Sequence, residues 1–330
     1  MNQNITDGVE GFPQQESQVP LQSEKAELST EEAEIQRALG EILEKEKEFW
    51  SALSAAKTFF AEVIYSALTD DKEAFKNNYL SAITKQNEAT ILSLEVEIVR
   101  YRNAEYLYDN KGRKEYGEFS PKTLESFVKA NQENILIHNK ELKNHIEKFG
   151  KKFEQDAVSV MDEYRGIEFA DRFGGLRRSG VGRFTLGPSG SNIVSDAPDY
   201  QKRPVFMVLG GFQSDDEEVN TPKQFVEKLQ YGLVEQMSEM KKYNYDEGET
   251  KQIYQESDSG TQTALVFMEK AFDSGDVDTA AIAGAIVEFV SGDNEVLRNG
   301  LSKLSPDKQL VFPQRLSEEK KKIRALIDQK

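Results

Sequence analysis

The chain has no cysteine, one tryptophan, two histidines and nine prolines in 330 residues. Without cysteine there can be no disulfide, no thiolate nucleophile and no cysteine-ligated zinc. A cysteine-free chain also suits a protein that is exported or built into a particle, where stray thiols are a liability. Acids outnumber bases, 58 Asp and Glu against 42 Lys and Arg, and the net charge of −16 speaks against nucleic acid or anionic lipid as a partner of the surface as a whole. Long apolar runs are missing too. The longest, Thr279 to Val290, is interrupted by Glu288 and reads as a buried helix, so no membrane span is expected. No basic start with a following apolar run marks a cleavable signal. The expected location is cytoplasmic, or exported without a cleavable signal peptide.

Catalytic motifs are equally sparse. There is no GxxxxGK[ST], and Gly180-Val181-Gly182 lacks the third glycine of a dinucleotide fingerprint. Gly187-Pro188-Ser189-Gly190 does not satisfy the nucleophile-elbow pattern. Asp276 and Asp278 do not continue into a calcium loop. A Ser-His-Asp site would have to recruit a histidine from a helix seam. No cofactor is implied.

What is present is helix-forming pattern. Charged residues make up 30% and hydrophobic residues 38% of the chain, enough for two cores of ordinary size. Four segments follow from composition: a disordered arm over 1–28, rich in Gln, Glu, Ser and Pro; a long-helix bundle domain over 29–168; a Gly/Arg-rich linker over 169–202; and a compact α-rich domain with short strands over 203–330.

The first long helix opens at Ser29, with Glu32 completing a capping box. Its apolar stripe is Ile35, Leu39, Ile42, Glu46, Phe49, Leu53, Ala56, Phe60, Val63 and Ala67, in the alternating three- and four-residue steps of a coiled-coil seam. Ile35, Leu39, Ile42, Phe49, Leu53 and Phe60 are the candidate interaction seam. Trp50, Phe59 and Ile64 widen the face, which predicts more than one neighbour. A second helix starts near Asp70, with Glu73 completing another capping box. Its alternating Leu92, Leu94, Val96 and Ile98 fit a strand over 91–101 as well as a helix, and the absence of Gly or Pro favours helix to about Tyr108. Asp109 to Gly112 is a turn, within a possible small hairpin. Ser120-Pro121 starts a third helix, running to about Tyr164 with a break at Gly150.

The third helix carries both histidines on one stripe: Leu124, Val128, Asn131, Ile135, His138, Leu142, His145, Phe149. A buried His138–Glu141–His145 layer could fix register, respond to pH or bind a metal. Glu46 on the first helix is an attractive partner for it. Arg172, Arg177, Arg178 and Arg183 lie among glycines and form the one basic island, a candidate anion site. In the C-terminal segment Thr221-Pro222 with Gln224 caps a helix. Val181 to Leu186, Pro204 to Leu209 and Gln309 to Phe312 read as strands, the last two as partners. Phe272 to Asp278 and Phe289 to Glu295 are two similar turns, each with Gly ending one helix and Asp starting the next.

These patterns predict a mainly α protein: long antiparallel helices in a coiled-coil-like bundle, plus a smaller α-rich domain with a minor β-sheet. Such a rod with an attached mixed domain resembles, in architecture alone, needle-tip proteins of bacterial secretion systems and phage scaffolding proteins. No residue motif carries either resemblance. The expected function is a non-catalytic protein-interaction or structural/assembly protein, in the form of an exported bacterial factor or a phage particle component. Its partner would be another protein or itself. The alternative is an anion- or phosphate-ligand-binding protein or enzyme that uses the Gly/Arg-rich segment 172–190.

Overall fold

A computed structural model of the chain describes residues 30–103, 121–165, 219–242, 246–248, 251, 259–292 and 295–329. The described residues are mainly α-helical and contain no strand. The helices are α1 (Thr30–Leu68), α2 (Lys72–Arg102), α3 (Pro121–Gln155), α4 (Ala157–Asp162), α5 (Pro222–Lys242), α6 (Ser259–Ser274), α7 (Val277–Ser291), α8 (Glu295–Leu301) and α9 (Pro306–Gln329). No helix among the described residues is long and apolar enough to cross a membrane.

The first three helices form an open layer. Both α1 and α3 pack along α2, with no comparable packing on each other. This arrangement explains the alternating pattern near residue 95. Leu92, Val96 and Val99 meet Ile42, Phe49 and Ala52 of α1. The other side of α2 meets α3, where Tyr101 stacks on Phe127 at 5.0 Å and Asn87 bonds Asn139 at 3.3 Å. Leu94 and Ile98 fall on that second side at helical spacing. Apolar residues on two faces of one helix imitate a strand's alternation, and residues 91–101 are helix. At ~1.5 Å per residue, α1 is about 58 Å long.

Local signals set most helix ends. Thr221 caps the start of α5, with Gln224 N–H donating to Thr221 Oγ1 at 3.2 Å, while Gln224 Oε1 accepts from the N–H of Asn220, one residue before the cap, at 3.0 Å. Asp276 accepts from Thr279 N–H at 3.1 Å, directly after Gly275 at φ +72°. Gly292 ends α7 at φ +68°, the left-handed geometry that favours glycine. Three expectations need correction. The cap of α2 is Asp71, whose carboxylate accepts from Ala74 N–H, because Asp70 is in the left-handed region at φ 57°. The third helix runs through Gly150 and breaks at Asp156 instead. Gln309 to Phe312 is not a strand but the second turn of α9. Pro306 stands first in that helix, where its missing N–H is harmless. Only Phe312 of the run is buried, and Leu310 is 82% exposed. The strands expected at Val181 to Leu186 and Pro204 to Leu209, the hairpin around Asp109 and the 1–28 arm lie outside the described residues.

The base of the layer shares its core with the C-terminal helices. Phe60, Ile64, Phe75, Phe153 and Met161 belong to one cluster with Phe225, Phe267, Phe272 and Phe312. Tyr65 meets Phe267 edge-on at 5.3 Å, and Gln262 donates to Thr58 Oγ1 at 2.8 Å. At the centre of the C-terminal helices is α7, packed on α5, α6 and α9. Every residue from Thr279 to Val290 except Glu288 is buried. Ala280, Ala281, Ala283, Gly284 and Ala285 keep this helix thin, so three helices pack close against it.

Two glycines test that close packing. A Cβ on Gly300 would lie 2.2 Å from the Phe272 ring, which is 1% exposed and packed on Phe312. A Cβ on Gly284 would lie 2.8 Å from the end of the Leu297 side chain. A buried ring cannot move aside, whereas a leucine terminus can rotate. Gly300→Ala is expected to cost about 1–3 kcal/mol, and Gly284→Ala clearly less. Urea unfolding of the two variants checks the order, and equal losses would refute it.

Candidate interaction surface

On α1 the side toward α2 is lined by Ala38, Ile42, Phe49, Ala52 and Ala56, all buried. Small residues there let the two backbones approach closely. About a third of a turn round the helix, at ~100° per residue, a second apolar stripe is formed by Leu39, Leu43 and Trp50. These are 47%, 63% and 50% exposed, and they fall within about 40° of one another. The three large apolar residues exposed on α3 do not align in this way. Leu136 lies about 180° from Phe127 around the helix, with Ile137 between.

Glu46 sits at the edge between the two faces of α1. Its carboxylate accepts from Arg100 of α2 at 2.5 Å, and Arg100 also donates to Glu97 at 3.0 Å. Side-chain exposure is 24% for Glu46, 12% for Arg100 and 5% for Glu97. Two carboxylates therefore share one guanidinium in a poorly solvated place. Burial pushes the Glu97 carboxyl above the usual range, against the pull of Arg100 and with a further push from Glu46. Burial and the Glu97 charge likewise raise the neighbouring Tyr101 phenol. On the other edge of α1, Lys45 pairs with Glu95 and Glu48, both at 3.0 Å. Lys47 is exposed beside the stripe, in the turn between Leu43 and Trp50, and makes no ion pair among the described residues.

The six seam residues divide. Ile42, Phe49 and Phe60 are buried in the chain's own core. Ile35 and Leu53 are half-buried, and Leu39 is exposed. The residues missed were Leu43, Lys47, Glu97 and Arg100. A heptad reading draws one stripe where α1 has two, and nothing local indicates which stripe finds α2. Trp50 was the available signal. It widens the face as Ile64 does, but Ile64 is covered by the shared core and Trp50 has no such cover.

The histidine layer is not a buried layer. His138 is 40% exposed and lies 3.8 Å from Glu141, itself 68% exposed. His145 is exposed, with its Nε2 2.9 Å from the Tyr79 hydroxyl. The core-facing stripe of α3 steps from half-buried Leu142 and Ile146 to buried Phe149 and Phe153, because a 3.6-residue helix drifts off a strict heptad and carries His145 outward. Glu46 pairs with Arg100, not with a histidine. Among the described residues no group of His, Asp and Glu is placed to hold a metal ion. Arg172, Arg177, Arg178 and Arg183 lie outside the described residues. Comparison with protein-family models, curated proteins and solved structures finds no match to this chain.

Glu97 gives a pH dependence with a definite sign. Its folded pKa is raised, so on acidification the folded state takes up this proton before the unfolded state does. Its contribution therefore falls as pH rises from the ordinary carboxylate value through the raised one, and stays low above. Glu97→Gln removes the surplus charge and leaves Arg100 paired with Glu46. The variant is expected to exceed wild type by about 1 kcal/mol at neutral pH, with the advantage fading toward about pH 4. Chemical denaturation across this range checks it, and a pH-independent difference would contradict it.

Proposed function

We propose that the chain is a non-catalytic protein-interaction or assembly protein whose contact surface is the outer stripe of α1. One observation carries the reading: the sole tryptophan lies half-exposed in line with Leu39 and Leu43, on a helix whose neighbouring face is already packed. Aromatic and leucine side chains on a preformed helix supply apolar area with little ordering cost. Large apolar side chains exposed along one face of a helix, on a protein this strongly charged, are a mark of association. The contact that suits such a stripe is another amphipathic helix laid along it, as in a coiled coil. The protein would act in the cytoplasm, or after export without a cleavable signal.

The test is a double variant, Leu43→Glu with Trp50→Glu. Both side chains point to solvent, so helical circular dichroism and the thermal midpoint should stay near wild type. Association with the proteins that co-purify from the native source should be lost. Retained association at wild-type level would refute the assignment of this stripe.

A further inference from the structure

Glu288 is the one charge in the longest apolar run of the chain. Its carboxylate accepts from Lys320 of α9 at 2.5 Å, and its side chain is 18% exposed. Keeping a charge where water is scarce is unfavourable unless the group is paired. The pair stands at one end of a cleft between α8 and α9. Leu297 of α8 and Leu316 of α9 both approach Gly284 of α7, at 2.8 Å and 3.5 Å from the position its Cβ would take. Glu288 is one turn beyond Gly284, and Lys320 is one turn beyond Leu316. The lining therefore changes from apolar to charged along the cleft.

We propose that this cleft binds a small amphipathic carboxylate, with its apolar chain against Leu297, Leu301, Phe312 and Leu316 and its head group on Arg298. Charge is the first support. The charged side chains that line the cleft among the described residues are Glu288, Arg298 and Lys320. Lys320 is neutralised by Glu288, whereas Arg298 is exposed and makes no ion pair among the described residues. The cleft thus carries one positive charge in excess on a chain whose net charge is −16. One carboxylate balances it, and a guanidinium can hold both carboxylate oxygens at once. The second support is the placement of the apolar groups. Leu297, Arg298 and Leu301 share one side of α8, so the cation lies between two apolar side chains. Across the cleft, Phe312, Leu316 and Lys320 recur at four-residue steps along α9.

Size limits the occupant to a small molecule. The cleft has a volume of about 320 Å³, at the small end of the roughly 300–1,000 Å³ of ligand pockets. From Phe312 to Lys320 it is about 12 Å long at ~1.5 Å per residue. A partner helix needs a longer groove, whereas a medium-chain carboxylate matches this length. With so few atoms in contact, a dissociation constant on the order of 100 µM is expected.

The experiment titrates the full chain with octanoate, and separately with 1-octanol, by calorimetry. Wild type should bind one octanoate, and bind octanol more weakly. Arg298→Gln, a change at an exposed side chain, should weaken octanoate about tenfold and leave octanol unchanged. Ser317→Phe places a ring in the cleft from an exposed position and should abolish the binding of both, with helicity and thermal midpoint kept. The double variant Leu43→Glu with Trp50→Glu should bind octanoate as wild type does. Because Trp50 is the only tryptophan, its emission reports on the α1 stripe and should not change during the titration. No saturable heat at millimolar octanoate would overturn the proposal. So would octanoate binding that Arg298→Gln leaves unchanged, since the head group would then not be read. Binding that survives Ser317→Phe, or that shifts Trp50 emission over the same concentration range, would place the ligand elsewhere and overturn it as well.

Discussion

Packing of α2 between α1 and α3 fixes where the rest of the N-terminal half can go. A helix with one neighbour can hide one stripe. With two neighbours α2 hides nearly its whole circumference from Leu92 to Val99. The cost falls on its neighbours, because in an open layer the two outer helices each keep a side that no described residue covers. On α3 that side is mostly polar, in keeping with Glu, Lys and Asn between its core positions. On α1 it carries Leu39, Leu43 and Trp50. The exposed stripe thus follows from a three-helix layer that does not close into a bundle. At ~25 cal/mol per Å² of apolar surface, exposing it is tolerable to a chain anchored elsewhere and favourable to cover.

The anchor is the core at the base of the layer. Aromatic side chains from α1, α2 and α3 join Phe225, Phe267, Phe272 and Phe312 there, so the lower part of the layer is held by the C-terminal helices. Among the described residues the outer part is held by α1–α2 and α2–α3 packing. That gradient suits a contact element: rigid at the root, with a long helix surface presented to a partner.

Two glutamates show how burial and partner number decide a carboxylate's state. Glu247 accepts hydrogen bonds from Arg324 and Lys251, and the Arg324 bond foremost holds its carboxyl down to about 2. It is 44% exposed, so water screens the pair and its value for stability is small. Arg324 and Lys251 also sit over the Phe289 ring, at 4.9 Å and 4.1 Å from its centroid. Glu97 is nearly buried and shares a single guanidinium with Glu46, and its carboxyl moves upward. The first cluster has a surplus of cations and the second a deficit, and the deficit lies beside the exposed stripe of α1.

Much of the framework could be read from local chemistry. Thr221 with Gln224, Asp276 after Gly275, and Pro121 at the start of α3 mark helix ends because caps and proline act within one turn. Zero cysteines and the lack of any long apolar run exclude whole classes of function by composition alone. Periodicity located the helices and put Ile42, Phe49 and Phe60 on one apolar stripe, read as an interaction seam. Other features needed the tertiary structure. Only the two-sided environment of α2 resolves the strand-like run at residues 92–98. Only the context of α9 makes helix of Gln309 to Phe312, a run too short for its period to decide. His145 left the core because a straight helix drifts from a heptad over two turns. Arg100 became the partner of Glu46 because antiparallel packing brings together residues 54 positions apart. Sequence determines which surfaces are apolar; which of them is covered depends on how many neighbours the fold supplies.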